Sequence, residues 1–335
     1  METKQERILV TGASGNIGSE VVKQLLSVAP AVSIRAAVHS RQNVKKVKDD
    51  DRIEPIPIDY NESDTLREAL KDVDKLFLLT PDVPNASDLA VNAVTEAKKA
   101  GIRHIVKQSV MGADLEADVG TMRLHRQVEE IIEQSGIPFT FLRPNEFMQN
   151  FINFHSPSIK GTNAFYIPLE DAKVSLVDVR DIAAVAVKSL IDEEDRHRNK
   201  TYLITGPEAL SYHRVAEILS NTTGRKIDYV NISDVEARAA MKEIGMSDWL
   251  INTVSELSDY FRKGKASEIS SAVEEVTGNK PISFSQFAND YVDASDKSQM
   301  VLCKRCEYHR SRELRLQLAY VYIDQTRIAD RFKSH

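Results

Sequence analysis

Three glycines near the start of the chain have the spacing of a phosphate-binding turn. They follow an apolar run at residues 8–11 and precede an amphipathic segment at 19–26. In a strand–turn–helix of this kind, helix N-terminal amides bind a pyrophosphate, and glycine lets the backbone approach it. A plain surface turn uses glycine too, but the flanking strand and helix favour a dinucleotide site. The predicted pyrophosphate-binding residues are Gly12, Ala13, Ser14, Gly15, Asn16, Ile17 and Gly18.

The residues after the second predicted strand indicate which dinucleotide binds. In NAD-binding proteins an acidic side chain about 20 residues past the glycines holds the ribose 2′-hydroxyl. Here His39, Ser40 and Arg41 stand at that place, and no acid follows until Asp49. Hydroxyl and guanidinium groups can bind a 2′-phosphate, which a carboxylate would repel. The sequence therefore favours NADP(H) over NAD(H), although Arg41 would also suit a solvated loop.

Apolar runs and helical patterns alternate through the first half of the chain. The runs lie at 8–11, 33–38, 54–58, 75–79, 104–108 and 140–143, and the helical patterns at 19–26, 63–70, 86–100 and 127–135. Strand–helix alternation after a phosphate turn predicts an α/β, Rossmann-type doubly wound parallel sheet. Ligands of such sheets lie at the carboxyl ends of the strands, so the chemistry is expected just after each run.

The pattern loosens beyond residue 150, where strands at 174–177 and 202–204 and helices at 212–222 and within 233–276 are expected. We expect an NAD(P)-binding domain over 1–150 with returning segments from 174–205. A smaller mixed, helix-rich substrate-binding lobe is expected over 151–292, and residues 293–335 form an extension without an assigned role. Asp178 and Asp181 could bind substrate or cap a helix. Trp249 could belong to a lid or to a second small core.

Composition excludes several classes of function. The 335 residues are 42% hydrophobic and 28% charged, with a net charge of -6 and a pI near 5.8. That balance provides no basic surface for nucleic acid or anionic membranes, and no apolar run is long enough to span a bilayer. Residues 1–7 are too polar for a signal peptide, and two cysteines are too few for a disulfide framework, so we expect a cytoplasmic protein. Cys303 and Cys306 form a C-x-x-C without a second ligand pair, so no metal site is predicted.

Several blocks together resemble the NmrA-like, atypical branch of the short-chain dehydrogenase/reductase superfamily. The likeness runs from about residue 6 to about residue 292. Its blocks are 11–18, Asp59, 78–81, 107–109, His125, 135–144, 147–150, 174–183 and 203–207.

The resemblance implies a role for each matching position. The glycine turn would bind pyrophosphate, and His125 stands where some members carry a catalytic or cofactor-contacting lysine and others a histidine. The remaining implied contacts are His39, Ser40 and Arg41 with the adenosine ribose, Asp59 and Tyr60 with adenine, Thr80 and Pro81 with ribose, Gln108 and Ser109 with the nicotinamide ribose, and Phe147 to Asn150 with nicotinamide.

Two departures from the family pattern bear on the reaction. His39 replaces the usual arginine after the second strand, which weakens the assignment of the phosphate contact. No Tyr-x-x-x-Lys follows Ser109, and in ordinary members that tyrosine transfers the hydroxyl proton. Reversible alcohol oxidation is therefore poorly supported, and so is an epimerase, which depends on the same tyrosine.

The sequence thus predicts an NADPH-dependent reductase that transfers hydride to a small unsaturated acceptor such as a quinone or azo compound. His125 would protonate the product, because its pKa lies near neutrality; it could instead be a satisfied histidine on a helix surface. The rival hypothesis is a non-catalytic NADP(H) sensor that binds a partner protein. The expected partner of the enzyme is the small-molecule acceptor, with a homo-oligomer possible and neither nucleic acid nor membrane.

Overall fold

The computed structural model describes residues 5–39, 47, 50–193 and 196–292. In chain order, the strands are β1 (Arg7–Val10), β2 (Ser33–Val38), β3 (Ile53–Pro57), β4 (Lys75–Leu78), β5 (His104–Gln108), β6 (Phe139–Pro144), β7 (Ala164–Ile167), β8 (Lys173–Val174), β9 (Lys200–Ile204), β10 (Leu210–Ser211) and β11 (Asp228–Asn231). The helices are α1 (Asn16–Val28), α2 (Ser63–Leu70), α3 (Ala86–Ala100), α4 (Gly120–Ser135), α5 (Ser156–Thr162), α6 (Val179–Ile191), α7 (Tyr212–Thr223), α8 (Asp234–Glu243), α9 (Asp248–Arg262), α10 (Ala272–Thr277) and α11 (Phe284–Tyr291), with a π-helix at Phe151–His155.

The chain divides into two compact units, and the first contains the nucleotide-binding pattern. This unit comprises Met1–Asn145, Val179–Ile204 and Ser270–Lys280. Its seven strands are all parallel and lie in the order β3-β2-β1-β4-β5-β6-β9. The order reverses beside β1, where ligands bind in doubly wound sheets. The predicted Rossmann-type fold is confirmed.

The sheet of the first unit is covered by helices on both faces, which explains its apolar strands. Ile8, Leu9 and Val10 of β1 are all buried, as parallel strands require when both faces are packed. One face carries α2, α3 and α4 in a common apolar core, and α1 packs against α6. These layers hold the carboxyl ends of the strands, and hence the loops after them, in fixed positions.

Helix α4 carries His125 and begins earlier than the periodicity of 127–135 predicts. It starts at Gly120, and its N-cap residue, Val119, makes no side-chain capping bond. Glycine is a poor helix former and valine a poor cap, so nothing in the local sequence marks this start. Packing of Met122 and His125 in the interior stabilises the first turns instead.

Among the described residues, the second unit comprises Glu146–Asp178, Thr205–Ile269 and 281–292. It contains two small sheets, a parallel pair β7–β11 and an antiparallel pair β8–β10. Its main core surrounds the aromatic side chains Phe151, Phe165 and Phe284. A separate cluster contains Met241 and Met246, so the segment around these residues forms a small core of its own.

The strand expected at 174–177 is shorter in the structure. Only Lys173–Val174 forms a strand, because the next backbone groups bond elsewhere. The Ser175 amide donates to the Ala266 carbonyl, and Val177 forms an isolated bridge to Phe147. The pattern at 174–177 is apolar enough to predict a strand, but the backbone groups after Val174 bond to residues that are distant in the sequence.

Several expectations concern residues outside the described ranges: Ser40 and Arg41, the extension 293–335, and its Cys303 and Cys306. Of the helices that the structure describes, none has both the length and the hydropathy needed to cross a bilayer. Within residues 5–39, 47, 50–193 and 196–292, no three His, Cys, Asp or Glu side chains are grouped so that they could hold a metal ion.

His104, at the start of β5, makes the fold sensitive to acid. The ring is buried, and its Nε2 lies 2.9 Å from the Thr140 hydroxyl. Burial lowers the pKa of His104 to about 4, and the Lys75 charge acts in the same direction. The unfolded chain therefore binds a proton more readily, so His104 should contribute about 3 kcal/mol to a fall in the free energy of unfolding between about pH 6.5 and about pH 4. Burial also lowers the pKa of His155 to about 4, so His155 adds to that fall. Urea denaturation across this range measures the effect.

His104→Gln should make the loss of stability over this pH range smaller by the contribution of His104, because glutamine does not ionise. His213→Gln replaces an exposed histidine and should leave the curve unchanged. Parallel losses of stability in wild type and His104→Gln would contradict the assignment to His104.

Candidate functional site

The glycine turn after β1 is tied to the ends of both neighbouring strands. The Thr11 hydroxyl donates to the Phe77 carbonyl over 3.1 Å and accepts the Leu79 amide at 2.7 Å. The Ala13 amide donates to the Ala37 carbonyl of β2 at 3.0 Å. Gly12 has a φ of +63°, in the left-handed region that favours glycine. The turn is thus held rigidly at the carboxyl edge of the sheet.

The start of α1 approaches the turn so closely that no side chain fits between them. A Cβ added to Gly18 would lie 2.2 Å from the Gly12 carbonyl oxygen. The N-cap residue of α1 is Gly15, which offers no side chain to bond the first amides of the helix. These amides are the groups to which a pyrophosphate binds. The turn therefore has the shape and the donors that a dinucleotide requires.

The predicted adenosine contacts follow β2, β3 and β4 of the first unit. His39 is exposed at the end of β2, Thr80 is buried and Pro81 is partly buried. Asp59 accepts the Asn61 amide at 2.9 Å and so forms a local turn. Tyr60 is buried and donates its hydroxyl to the Leu79 carbonyl at 2.7 Å, and burial raises its pKa to about 12. Tyr60 therefore supports the end of β4, and a contact of its ring with adenine stays a prediction.

Of the predicted nicotinamide-ribose contacts, Gln108 ends β5 and Ser109 follows it. Gln108 donates its side-chain amide to the Ser109 carbonyl at 2.7 Å. The Ser109 side chain is fully buried and donates to Glu129 at 2.6 Å. Ser109 thus joins a buried ionic cluster, and its contact with the nicotinamide ribose stays a prediction.

That cluster centres on Glu129 of α4, to which sequence reasoning assigned no role. Glu129 is fully buried and accepts from Arg143 of β6, with Nε at 2.9 Å, and from Arg126 at 3.1 Å. Burial alone would raise the pKa of Glu129, but the bonds from Arg143 and Ser109 hold it below its usual value. Glu129 is therefore a permanent carboxylate that joins α4 to β5 and β6.

Arg143→Met should reduce the free energy of unfolding by about 3 kcal/mol, because removing one partner of a buried ion pair leaves the other charge poorly compensated. Chemical denaturation at pH 7 measures this loss. Arg214→Met breaks an exposed pair with Glu217 and should change stability by less than about 1 kcal/mol. Equal effects of the two substitutions would show that Arg143 contributes no more than a surface charge.

His125 lies inside the first unit and is only 7% exposed, so the surface position expected in the alternative is wrong. Both ring nitrogens do have partners, as that alternative expects of a satisfied histidine. Its Nδ1 is 3.4 Å from the Lys107 ammonium nitrogen, and its Nε2 is 3.2 Å from an Asp82 carboxylate oxygen. Burial lowers the pKa of His125, and the Lys107 charge lowers it further. His125 is therefore neutral at pH 7 and lies between a cation and an anion.

Sequence reasoning assigned no role to Lys107 or Asp82. Lys107 is fully buried in β5, where burial lowers its pKa to about 8 although the Asp82 and Glu129 charges oppose this. A lysine that directly follows the apolar residues Ile105 and Val106 in a predicted strand is a signal that the sequence does contain, since buried lysines normally have a partner. Asp82 follows β4 in a loop, and only the tertiary structure places it beside α4.

The remaining predicted residues belong to the second unit. Phe147 is partly buried and bridges to Val177, and the Asn150 amide donates to the Glu146 carboxylate. Burial raises the pKa of Glu146, which this bond partly offsets. In the same unit, buried Asp178 accepts from Gln149 at 2.9 Å. Nicotinamide contacts by Phe147 and Asn150 stay predictions.

Comparison with known proteins identifies relatives along most of the chain. It is 35% identical over 287 residues to an NAD(P)H azoreductase of Xenophilus azovorans, covering 86% of this chain and 98% of the relative. A solved NADPH-dependent quinone oxidoreductase of Escherichia coli, complexed with NADPH, has a TM-score of 0.77 at 25% identity, covering 85% of this chain and all of that one. Triphenylmethane reductase of Citrobacter sp., complexed with NADP(H), has a TM-score of 0.76 at 25% identity, with coverages of 84% and 99%.

The sequence profile of the NmrA-like family matches residues 4–288, which include both the glycine turn and His125. The match extends through both compact units as far as α11. The resemblance inferred from the motifs is confirmed, and this chain belongs to the NmrA-like family.

Proposed function

We propose that this protein is an NADPH-dependent reductase that transfers hydride to a small unsaturated acceptor, such as a quinone or an azo compound. The observation that carries the proposal is that a glycine turn and a hydrogen-bonded cluster lie at the carboxyl ends of neighbouring strands. The cluster consists of the buried Lys107 and His125 and the exposed Asp82. The coarser statement, that the chain is an NAD(P)H-dependent oxidoreductase, has the support of matched relatives that are named as reductases or oxidoreductases.

The residues of the glycine turn fit a dinucleotide. The amides that begin α1 would bind the pyrophosphate, and Gly18 leaves the space that this close approach needs. Reduced nicotinamide supplies a hydride when it is bound. The preference for NADP(H) rests on His39, Ser40 and Arg41 in place of an acid, and it is supported by solved relatives complexed with NADPH or NADP(H).

The acceptor needs a proton as well as a hydride. Hydride addition to a quinone or azo group leaves an anionic oxygen or nitrogen, and the His125 Nε2–H can protonate it. Helix α4 contains no tyrosine, so it lacks the proton donor that ordinary short-chain dehydrogenases use in alcohol chemistry. We assign His125 as the catalytic residue on these grounds.

Steady consumption of NADPH by the full chain tests the proposal, with a quinone, an azo dye and an enone as acceptors and NADH in parallel. Consumption above the enzyme-free rate with at least one acceptor, faster with NADPH, is the expected result. The second candidate function is an NADP(H) sensor, which the absence of the catalytic tyrosine favours. Tight NADPH binding without consumption of any acceptor would overturn the reductase and support the sensor.

A further inference from the structure

Lys107 is an unusual side chain for the centre of this sheet. It is fully buried in β5, and the partners of its ammonium are the Gln108 carbonyl and the Nδ1 of His125. Lysine is almost never fully buried without a paired group, and a structural role would be served more cheaply by an apolar residue. The position of this ammonium therefore requires an explanation beyond packing.

Donor and acceptor chemistry determines how the three side chains are connected. An ammonium only donates hydrogen bonds, so the Nδ1 of His125 must accept from Lys107. The proton of the neutral ring then lies on Nε2, which donates to the Asp82 carboxylate. Asp82 is 71% exposed, whereas His125 and Lys107 are buried. The hydrogen bonds therefore run from a buried cation, through a neutral imidazole, to a carboxylate at the surface.

The charges around this chain of hydrogen bonds keep the proton on Lys107 at neutral pH. The groups that act on Lys107 are Asp82 from the loop after β4, and His125 and Glu129 from α4. Arg143 of β6 compensates Glu129. Burial lowers the pKa of Lys107 to about 8 and also lowers that of His125. Lys107 is thus protonated at pH 7 and holds a proton that is easily released.

We propose that Lys107 is a relay residue, which supplies His125 with a new proton after His125 has protonated the acceptor. This inference rests on the proposed reductase function. When the acceptor displaces the exposed Asp82 carboxylate from Nε2 and receives hydride, its new anion takes the Nε2 proton. The Nζ–H bond of Lys107 breaks, its electron pair stays on Nζ, and an Nδ1–H bond forms, so His125 is neutral again at the end of this transfer, with its proton now on Nδ1. A solvent proton then binds Nε2, the Nδ1 proton returns to Lys107, and the cluster is restored.

The pH dependence of kcat distinguishes this relay from a structural role. Wild-type kcat should fall above about pH 8, because a deprotonated Lys107 has no proton to transfer. Lys107→Met should lower kcat about 10- to 100-fold and remove the fall of kcat above about pH 8, which is the basic limb of the pH profile. KM and the Kd for NADPH should stay within about threefold of the wild-type values. The solvent deuterium isotope effect on kcat should change in the same variant, which loss of packing alone would not cause.

Lys75→Met is the matched control. Lys75 is another buried lysine, on the adjacent strand β4 at the opposite end of the sheet, where it donates to the Leu190 carbonyl at 2.7 Å. Its substitution should cost stability but leave the basic limb of kcat in place. If Lys107→Met keeps the wild-type pH profile and isotope effect, the relay is overturned while the reductase stands.

Two measurements on the wild-type protein do not depend on whether Lys107→Met folds. The basic limb near pH 8 must be present, and ¹⁵N NMR of His125 at pH 7 must show an unprotonated Nδ1. A kcat that is constant to about pH 10, or a protonated Nδ1, overturns the relay. Wild-type protein that consumes no NADPH with any acceptor overturns the reductase and the relay together.

Discussion

Gly18→Ala is expected to raise the Kd for NADPH at least about 100-fold, a loss of about 2.7 kcal/mol in binding free energy. The new Cβ would lie 2.2 Å from the Gly12 carbonyl oxygen, 2.6 Å from the carbonyl carbon and 3.0 Å from the Ala13 nitrogen. These are backbone atoms, so no side chain can rotate away to relieve the clash. Helix α1 must move away from the turn, and its amides then no longer meet the pyrophosphate together. Titration of the reduced-nicotinamide fluorescence measures the Kd.

Gly101→Ala separates this effect from a general loss of stability. Gly101 ends α3 with a φ of +77°, and an added Cβ there meets nothing within 4 Å. Alanine at this position should cost about 1 kcal/mol of stability, because positive φ is unfavourable for it, and should leave NADPH binding unchanged. A Gly18→Ala variant that binds NADPH within threefold of wild type would contradict the assignment of the turn to the pyrophosphate.

His125→Gln is expected to lower kcat by about 10² to 10⁴, the usual contribution of a positioned general acid. Glutamine is neutral like the native ring and can keep a hydrogen bond to Lys107 or Asp82, but it does not exchange protons near neutral pH. The Kd for NADPH should stay within about threefold, because the glycine turn that would bind the pyrophosphate is unchanged. Stopped-flow measurement of NADPH oxidation by a quinone gives the rate of the reductive step.

His213→Gln provides the control, since His213 is exposed on α7 in the second unit, where its ring lies 3.7 Å from the exposed Asp171 carboxylate and contacts the Tyr229 ring. Its kcat should equal that of wild type. A His125→Gln variant whose kcat is within threefold of wild type would mean that the proton comes from elsewhere, most simply from water.

The fold could be predicted from the sequence because its signals are local. The three glycines, the apolar strands and the helical periodicity each depend on neighbouring residues, and together they specify a parallel sheet with a phosphate turn. The helices at Ser63–Leu70 and Ala86–Ala100 have the predicted bounds for this reason. The early start of α4 could not be predicted, because interior packing rather than a capping residue stabilises it.

The candidate site also combines features that the sequence predicts with features that only the tertiary structure shows. His125 could be singled out because it occupies a motif position, but its burial and its two partners depend on contacts between residues 18 and 43 positions apart. The same holds for Glu129 and Arg143, whose ion pair joins a helix to a strand. The type of each residue is known from the sequence, whereas the partner that compensates its charge depends on which helices and strands pack together.

The sequence by itself determined that a dinucleotide turn lies at the start of a doubly wound sheet and that the usual catalytic tyrosine is missing. These are properties of residue type and spacing. Only the tertiary structure decided that Lys107, His125 and Asp82 form one hydrogen-bonded chain, and that Tyr60 and Ser109 support the ends of strands. The physical reason is that hydrogen bonds and pKa shifts depend on distance and burial, which arise only when distant segments pack together.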